Sequence, residues 1–162
     1  IELVKIAGYL HDIGNLVNRK DHSQSGAVMA WSILNDMGCA PEEIATIVTA
    51  IGNHDEGTGV PVNAVAAAMI LADKADVRRS RVRDKADLDI DNHDRVNYAV
   101  EKSKLTIDPE EGKFTLSLTV DENISPISEY FEIFLERMVL CRRSAKVLGL
   151  DFELVINDTR IL

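Results

Sequence analysis

The segment IELVKIAGYLHDIGN, residues 1–15, is the most informative part of the sequence, because it joins an apolar helix to a His-Asp pair. Its apolar residues recur at the spacing of one helix face: Leu3, Ile6, Ala7 and Leu10. Gly14 stands where a glycine commonly ends a helix. We therefore predict a first amphipathic helix that ends near Ile13, with the His-Asp pair at its C-terminal end.

Helical spacing continues through residue 103. The sequence predicts a second helix from about Ser23 to Gly38 and a third from Pro41 to Gly52. After a loop over residues 53–61, the segment VNAVAAAMILA is apolar on nearly every side, which predicts a central, buried helix. A short helix capped by Asn92 completes this part.

From Lys104 onward the apolar residues alternate with polar ones, which is the period of a β-strand. We predict a hairpin over residues 104–120, a long helix from Pro126 to Gly149, and a further strand around residues 152–156. The predicted fold is mainly α with a small C-terminal α+β portion in the order β-β-α-β. The predicted domains are residues 1–103 and 104–162.

The amino-acid composition and net charge exclude some classes of partner and location. The chain has 27 acidic and 18 basic residues and a formal net charge of −9, so nucleic acid is a poor candidate partner. No apolar run is long enough to cross a bilayer, so we predict no membrane association. Cys39 and Cys141 are isolated in apolar segments, which favours a reducing compartment, and we predict a cytoplasmic protein. The broad apolar face of the last helix predicts packing against its own sheet or against a second subunit, and a homodimer is therefore a possible assembly.

Three His-Asp pairs occur, and their settings differ. His93-Asp94 follows Asn92 at a helix start, where the helix dipole favours an acid by about 0.3–1 kcal/mol, so a structural role is preferred there. Asp12 lies at a helix C-terminal end, where the dipole disfavours it by a similar amount. A bound cation would explain Asp12, although a hydrogen bond from His11 to a carbonyl and a solvated Asp12 are equally compatible with the sequence.

Asp73 ends the most apolar helix, at the edge of the core, where a carboxylate without a partner is costly. Lys74 or Arg78 could pair with it. We favour instead a divalent metal shared by His11, Asp12 and Asp73, because one ion would then be the partner of all three polar side chains. Such a metal commonly promotes attack of water on a phosphate ester.

The segments AGYLHDIGN, the loop around His54-Asp55, and ILADKAD together resemble the HD-domain superfamily of metal-dependent phosphohydrolases. The resemblance implies an HD-type helical bundle and makes His11, Asp12 and Asp73 the metal ligands. The family's first His has no counterpart before residue 11, so we expect an upstream segment to supply it. His22, His54 and Asp55 resemble the additional ligands of members with two metals. A locally hydrogen-bonded histidine is the alternative for His22 and His54.

The function expected from the resemblance is hydrolysis of a phosphate ester or anhydride in a small phosphorylated molecule such as a nucleotide. Water would be the nucleophile, Asp12 would ligate and orient, and Asp55 or Glu56 would be the general base. Lys74, Arg78 and Arg79 could clamp the substrate phosphate, unless they form an ordinary solvated surface. The cofactor is a divalent metal, with Mn, Fe, Co, Mg and Zn all compatible.

The sequence is also compatible with two other functions. A non-catalytic metal-binding or nucleotide-binding regulatory module would account for the absent first His. An HD-fold di-iron oxygenase would use a similar set of His and Asp residues for oxygen chemistry.

Overall fold

The structure, a computed structural model, describes residues 1–82 and 92–162. It is mainly helical with a small C-terminal sheet, which confirms the predicted fold class. The chain forms two compact units. The first contains residues 1–73 and 143–148, and the second contains residues 74–142 and 149–162.

The first unit is built from helices joined by short loops. These are α1 (Glu2–Leu10), α2 (His22–Asp36), α3 (Pro41–Gly52) and α4 (Ala64–Lys74), with a 3₁₀ turn at Ile13–Leu16. Small and branched apolar side chains from all four helices form the core: Ala7, Ala27, Ala30, Leu34, Ile44, Ile47, Ala50, Ile51, Ala66 and Met69. The small alanine side chains allow the helices to pack closely. This packing positions the helix ends and the loops that join them.

The predicted end of the first helix near Ile13 is wrong. α1 ends at Leu10, and His11 and Asp12 form a turn before the 3₁₀ segment. Gly14 does not end the helix by adopting a positive φ. It is a point of close approach, because a Cβ there would overlap the carbonyl oxygen of His22 and lie 2.6 Å from the nitrogen of Gly26. The glycine is required by packing against the start of α2.

The second unit contains a four-stranded sheet in the order β1-β2-β3-β4. The elements are a 3₁₀ turn (Arg79–Arg81), α5 (Asn92–Ala99), β1 (Val100–Asp108), β2 (Lys113–Val120), α6 (Ile127–Val147), β3 (Asp151–Ile156) and β4 (Thr159–Arg160). The last turns of α6, from residue 143 onward, belong to the first unit. β1 and β2 are antiparallel, β2 and β3 are parallel, and β3 and β4 are antiparallel. Alternate residues of β2 and β3 are buried: Phe114, Leu116, Leu118, Phe152, Leu154 and Ile156.

Two details of this unit differ from the sequence prediction. β1 begins at Val100 rather than Lys104, directly after α5, and β4 was not predicted. β4 follows a tight turn in which Asn157 and Asp158 both have positive φ, which these residue types tolerate. The domain boundary after residue 103 and the homodimer stay predictions.

Arg83 and the charged segment 84–91, which the sequence assigns to a basic patch and a turn, lie outside the described residues. Over residues 1–82 and 92–162, no helix combines the length and apolar character needed to cross a membrane.

Candidate metal centre

Four loops or helix ends of the first unit carry the candidate ligands. His11 and Asp12 follow α1, His22 begins α2, His54 follows α3, and Asp73 lies in the last turn of α4. The four helices pack around one apolar core, and this packing brings their ends together. Residues that are far apart in sequence therefore lie close in space. This brings five of the residues singled out from the sequence into one cluster.

The carboxylate of Asp12 lies at the middle of the cluster. Its Oδ2 is 3.6 Å from Nε2 of His11, and its Oδ1 is 3.3 Å from Nε2 of His22 and 3.9 Å from Nε2 of His54. The two oxygens therefore face different imidazoles. One ligand atom each from His11, Asp12 and His54 lie within 4.8 Å of one another, a spacing compatible with a shared metal ion.

Asp73 joins the cluster through His11. Its Oδ1 is 3.6 Å from Nε2 of His11, and its side chain is 17% exposed. The Asp73 carboxylate raises the pKa of His11 above its ordinary value, with further upward contributions from the Gly8 carbonyl and Asp12, while partial burial acts in the opposite direction. The imidazole of His11 thus lies in a region of negative electrostatic potential.

All three histidines of the cluster are oriented in the same way. In each, Nδ1 lies at hydrogen-bond distance from the carbonyl oxygen three residues earlier: Gly8 for His11 (2.7 Å), Arg19 for His22 (3.0 Å) and Ile51 for His54 (2.7 Å). A carbonyl oxygen only accepts, so Nδ1 donates the hydrogen. In a neutral imidazole Nε2 then carries a lone pair, which is the form that binds metal.

The pair formed by His22 and His54 gives the clearest indication of a cation. Their Nε2 atoms are 3.1 Å apart, and the two rings are 3% and 1% exposed. With both Nδ1 atoms donating to carbonyls, two neutral rings would point lone pairs at each other in a buried site. A proton shared by the two Nε2 atoms would remove the repulsion between these two lone pairs only. A divalent cation would bind both lone pairs and also neutralise the carboxylate of Asp12, which faces both rings. The residues present therefore fit a metal.

The local supports of the cluster were not found from the sequence. Gly14 and Gly26 let α2 pass close to the His11-Asp12 turn, and Nε2 of Gln24 donates to the Gly52 carbonyl at 2.7 Å. That hydrogen bond joins the first turn of α2, which carries His22, to the end of α3, just before His54. Nothing in the sequence distinguishes Gln24 from an ordinary surface glutamine.

The remaining predicted site residues lie in various settings. Asp55 is partly exposed beside His54, and its backbone carbonyl accepts a hydrogen bond from Thr58. Lys74 is buried and has an interaction partner. Arg78 pairs with Asp76 at 2.8 Å, and Arg79 donates to the Tyr98 carbonyl, both within the second unit. Roles of Asp55 in catalysis or metal binding, and of the three cations in substrate binding, stay predictions.

Comparison with known proteins gives no match, since no family model, no curated protein and no solved structure matches this chain. Membership of the HD-domain superfamily is therefore a proposal that depends on the residues described above.

Proposed function

We propose that this chain is a metal-dependent phosphohydrolase of the HD type that acts on a small phosphorylated molecule, with a nucleotide as the favoured class. The observation that carries the proposal is the convergence of three imidazole Nε2 atoms on the carboxylate of Asp12, with Asp73 beside His11.

The donor set supports two ion positions that share Asp12. His11, Asp73 and Asp12 would hold the first ion, and His22 and His54, sharing Asp12, would hold the second. The atoms of His11, Asp12 and His54 that lie within 4.8 Å of one another would then belong to two neighbouring positions. Imidazole and carboxylate together suit Mn, Fe, Co or Zn better than Mg, which prefers oxygen ligands and retained waters. When bound, such ions polarise a phosphoryl oxygen and lower the pKa of water toward neutrality.

The protein side chains have separate tasks in this proposal. The three carbonyl acceptors keep the imidazoles in one tautomer, so the neutral form of each ring presents the Nε2 lone pair to the site. Asp12 supplies the negative charge at the centre of the site, and its side chain is 47% exposed, so a substrate can approach it from solvent. Asp55 remains the proposed general base, because it adjoins His54 and is partly exposed.

We also propose a cytoplasmic location and assembly as a homodimer. Cys39 and Cys141 are both free thiols, as expected in a reducing compartment. Purification under native conditions with size-exclusion chromatography and light scattering tests the dimer directly.

The experiment for the proposed activity is release of phosphate from a panel of phosphate monoesters and nucleotides by metal-loaded protein, assayed without oxygen. We expect turnover that Asp12→Asn lowers at least about 100-fold, because loss of a metal ligand removes the ion that activates water. Asp36→Asn, an exposed carboxylate at the end of α2, is the matched control and should retain full activity.

The same assay separates the other two functions. Bound metal with no turnover of any phosphate ester would favour a regulatory binding module. Oxygen consumption with an organic substrate, and no hydrolysis under anaerobic conditions, would favour an oxygenase.

A further inference from the structure

The second unit contains a groove of its own, with a volume of about 570 Å³. One wall is formed by four residues in and beside the 3₁₀ turn, between positions 78 and 82, and the other by four residues at the end of α5 and the start of β1, between positions 98 and 103. The volume lies within the range of roughly 300–1,000 Å³ that is usual for small-molecule sites. None of the groove residues is a candidate metal ligand.

The groove is positively charged in a chain that is acidic as a whole. Arg78, Arg79 and Lys102 line it, against the carboxylate of Glu101, whereas the full chain carries a formal charge of −9. Arg78 is partly neutralised by Asp76, 2.8 Å away. Lys102 forms no ion pair with any residue of the described ranges, and it lies on the edge strand of the sheet. The local charge therefore favours an anion.

Arg79 is held in a fixed orientation. Its Nε donates to the Tyr98 carbonyl at 2.7 Å, and its guanidinium carbon lies 4.7 Å from the centre of the Tyr98 ring. Its Nη2 is buried and has no hydrogen-bond partner among the residues that the structure describes. A buried charged donor without an acceptor is costly, and a guanidinium positioned in advance loses little entropy when it binds an anion.

Glu101 is the groove carboxylate that lies nearest Arg79. Its Oε1 is 3.6 Å from Nη2 of Arg79, too long for a hydrogen bond, and its side chain is 46% exposed. An exposed, weakly held carboxylate can rotate away and be replaced by an oxyanion that bonds Nη2 directly. Glu101 would then act as a competitor of the ligand rather than as part of its site.

We propose that this groove binds the phosphate group of a small phosphorylated molecule through Arg79 and Lys102. Guanidinium and ammonium groups are the side chains that proteins use for phosphate oxygens. The inference goes beyond the proposed function, because it requires neither a metal nor hydrolysis. In this proposal Arg79, which the sequence predicts to clamp the substrate phosphate of the hydrolase, binds a phosphate group whether or not a metal is present.

Calorimetric titration of the full chain with pyrophosphate, after removal of metal by a chelator, tests the proposal. We expect saturable binding that weakens as salt is added. Lys102→Gln should weaken binding at least about tenfold, the effect of one charge-assisted hydrogen bond. Lys104→Gln removes an equal charge from the same strand outside the groove and should change affinity less than about twofold, as a surface charge does.

Glu101→Gln gives the most specific result, because removal of the competing carboxylate should tighten pyrophosphate binding several-fold. If the Arg79–Glu101 ion pair only stabilises the fold, pyrophosphate binding should be unchanged or weaker in this variant. The proposal is overturned if the wild-type chain shows no saturable binding, if Lys102→Gln and Lys104→Gln weaken binding equally, or if Glu101→Gln fails to tighten it. Loss of hydrolysis in the Asp12 variant leaves all of these results unaffected.

Discussion

At the scale of single residues, the decisive feature is the placement of Asp12 among three imidazoles. Its two carboxylate oxygens face different histidines, and each histidine is fixed by a carbonyl acceptor at Nδ1. The cluster thus has the organisation of a metal centre, in which the outer hydrogen bonds set the tautomer of the inner ligands. Asp12 is the residue on which the largest effects are expected.

Asp12→Asn should abolish tight binding of divalent metal. An amide has one weak oxygen donor and no charge, so both proposed ion positions lose their shared ligand. Elemental analysis of the purified variant should give less than about a tenth of the wild-type metal content, in line with the 10–100-fold effects of weaker changes around metal ligands. Asp36→Asn should retain the wild-type content, and equal loss in both variants would contradict the assignment.

His54→Gln should remove one ion and leave the other. Nε2 of His54 lies nearest Oδ1 of Asp12, whereas Nε2 of His11 lies nearest Oδ2, so the loss of His54 should affect mainly the second proposed position. We expect the metal content to fall from about two ions per chain to about one, since ligand loss weakens an ion mainly at its own position. His93→Gln is the control, because His93 lies on α5 outside the cluster. An unchanged content in His54→Gln would exclude this role.

The residue types of the site could be predicted from the sequence, but their contacts could not. Asp12 and Asp73 stand out because a carboxylate at a helix C-terminus or at the edge of a core needs a partner. His22 and His54 were indicated by the resemblance alone, since each lies in a polar segment where an exposed histidine is equally natural. Their 3.1 Å approach depends on how α2 and α3 pack.

At the scale of elements, the closeness of α2 to the His11-Asp12 turn determines the site. Gly26 of α2 lies beside this turn, since a Cβ on Gly26 would be 3.3 Å from the His11 carbonyl and 3.2 Å from the nitrogen of Gly14. The sequence predicts the helices because their apolar residues recur at helical spacing. The predicted end of α1 lies three residues beyond the observed end at Leu10, because Gly14 is needed for close packing and does not terminate the helix.

Gly14→Ala should destabilise the first unit and displace His22. The added methyl group would overlap the His22 carbonyl oxygen and lie 2.6 Å from the nitrogen of Gly26, so backbone must move. We expect a loss of at least about 3 kcal/mol in the free energy of unfolding, the upper range for overpacking, measured by urea denaturation. Metal affinity should fall as well.

Gly8→Ala provides the control for that substitution. Gly8 lies within α1, and a Cβ there meets nothing within 4 Å. Alanine should stabilise the helix by about 0.5–1 kcal/mol. Similar destabilisation by both substitutions would show that the close approach at Gly14 is not the cause.

At the scale of the whole molecule, metal binding should stabilise the first unit, which contains all five clustered residues. A ligand that binds only the folded state adds about 2.7 kcal/mol at a concentration 100 times its Kd. We expect manganese to slow hydrogen exchange in α1, α2 and α3 of the wild-type chain. The Asp12→Asn variant should show no such protection, and equal protection in both would place the bound metal elsewhere.

The most direct test of the central claim is a crystal structure of the metal-loaded chain with anomalous scattering collected at the absorption edge of the bound metal. The account predicts an ion bonded at about 2.0–2.3 Å to Nε2 of His11 and to the carboxylates of Asp12 and Asp73. A metal-loaded crystal without an anomalous peak at these three side chains, or with the ion bound at another place, would contradict it.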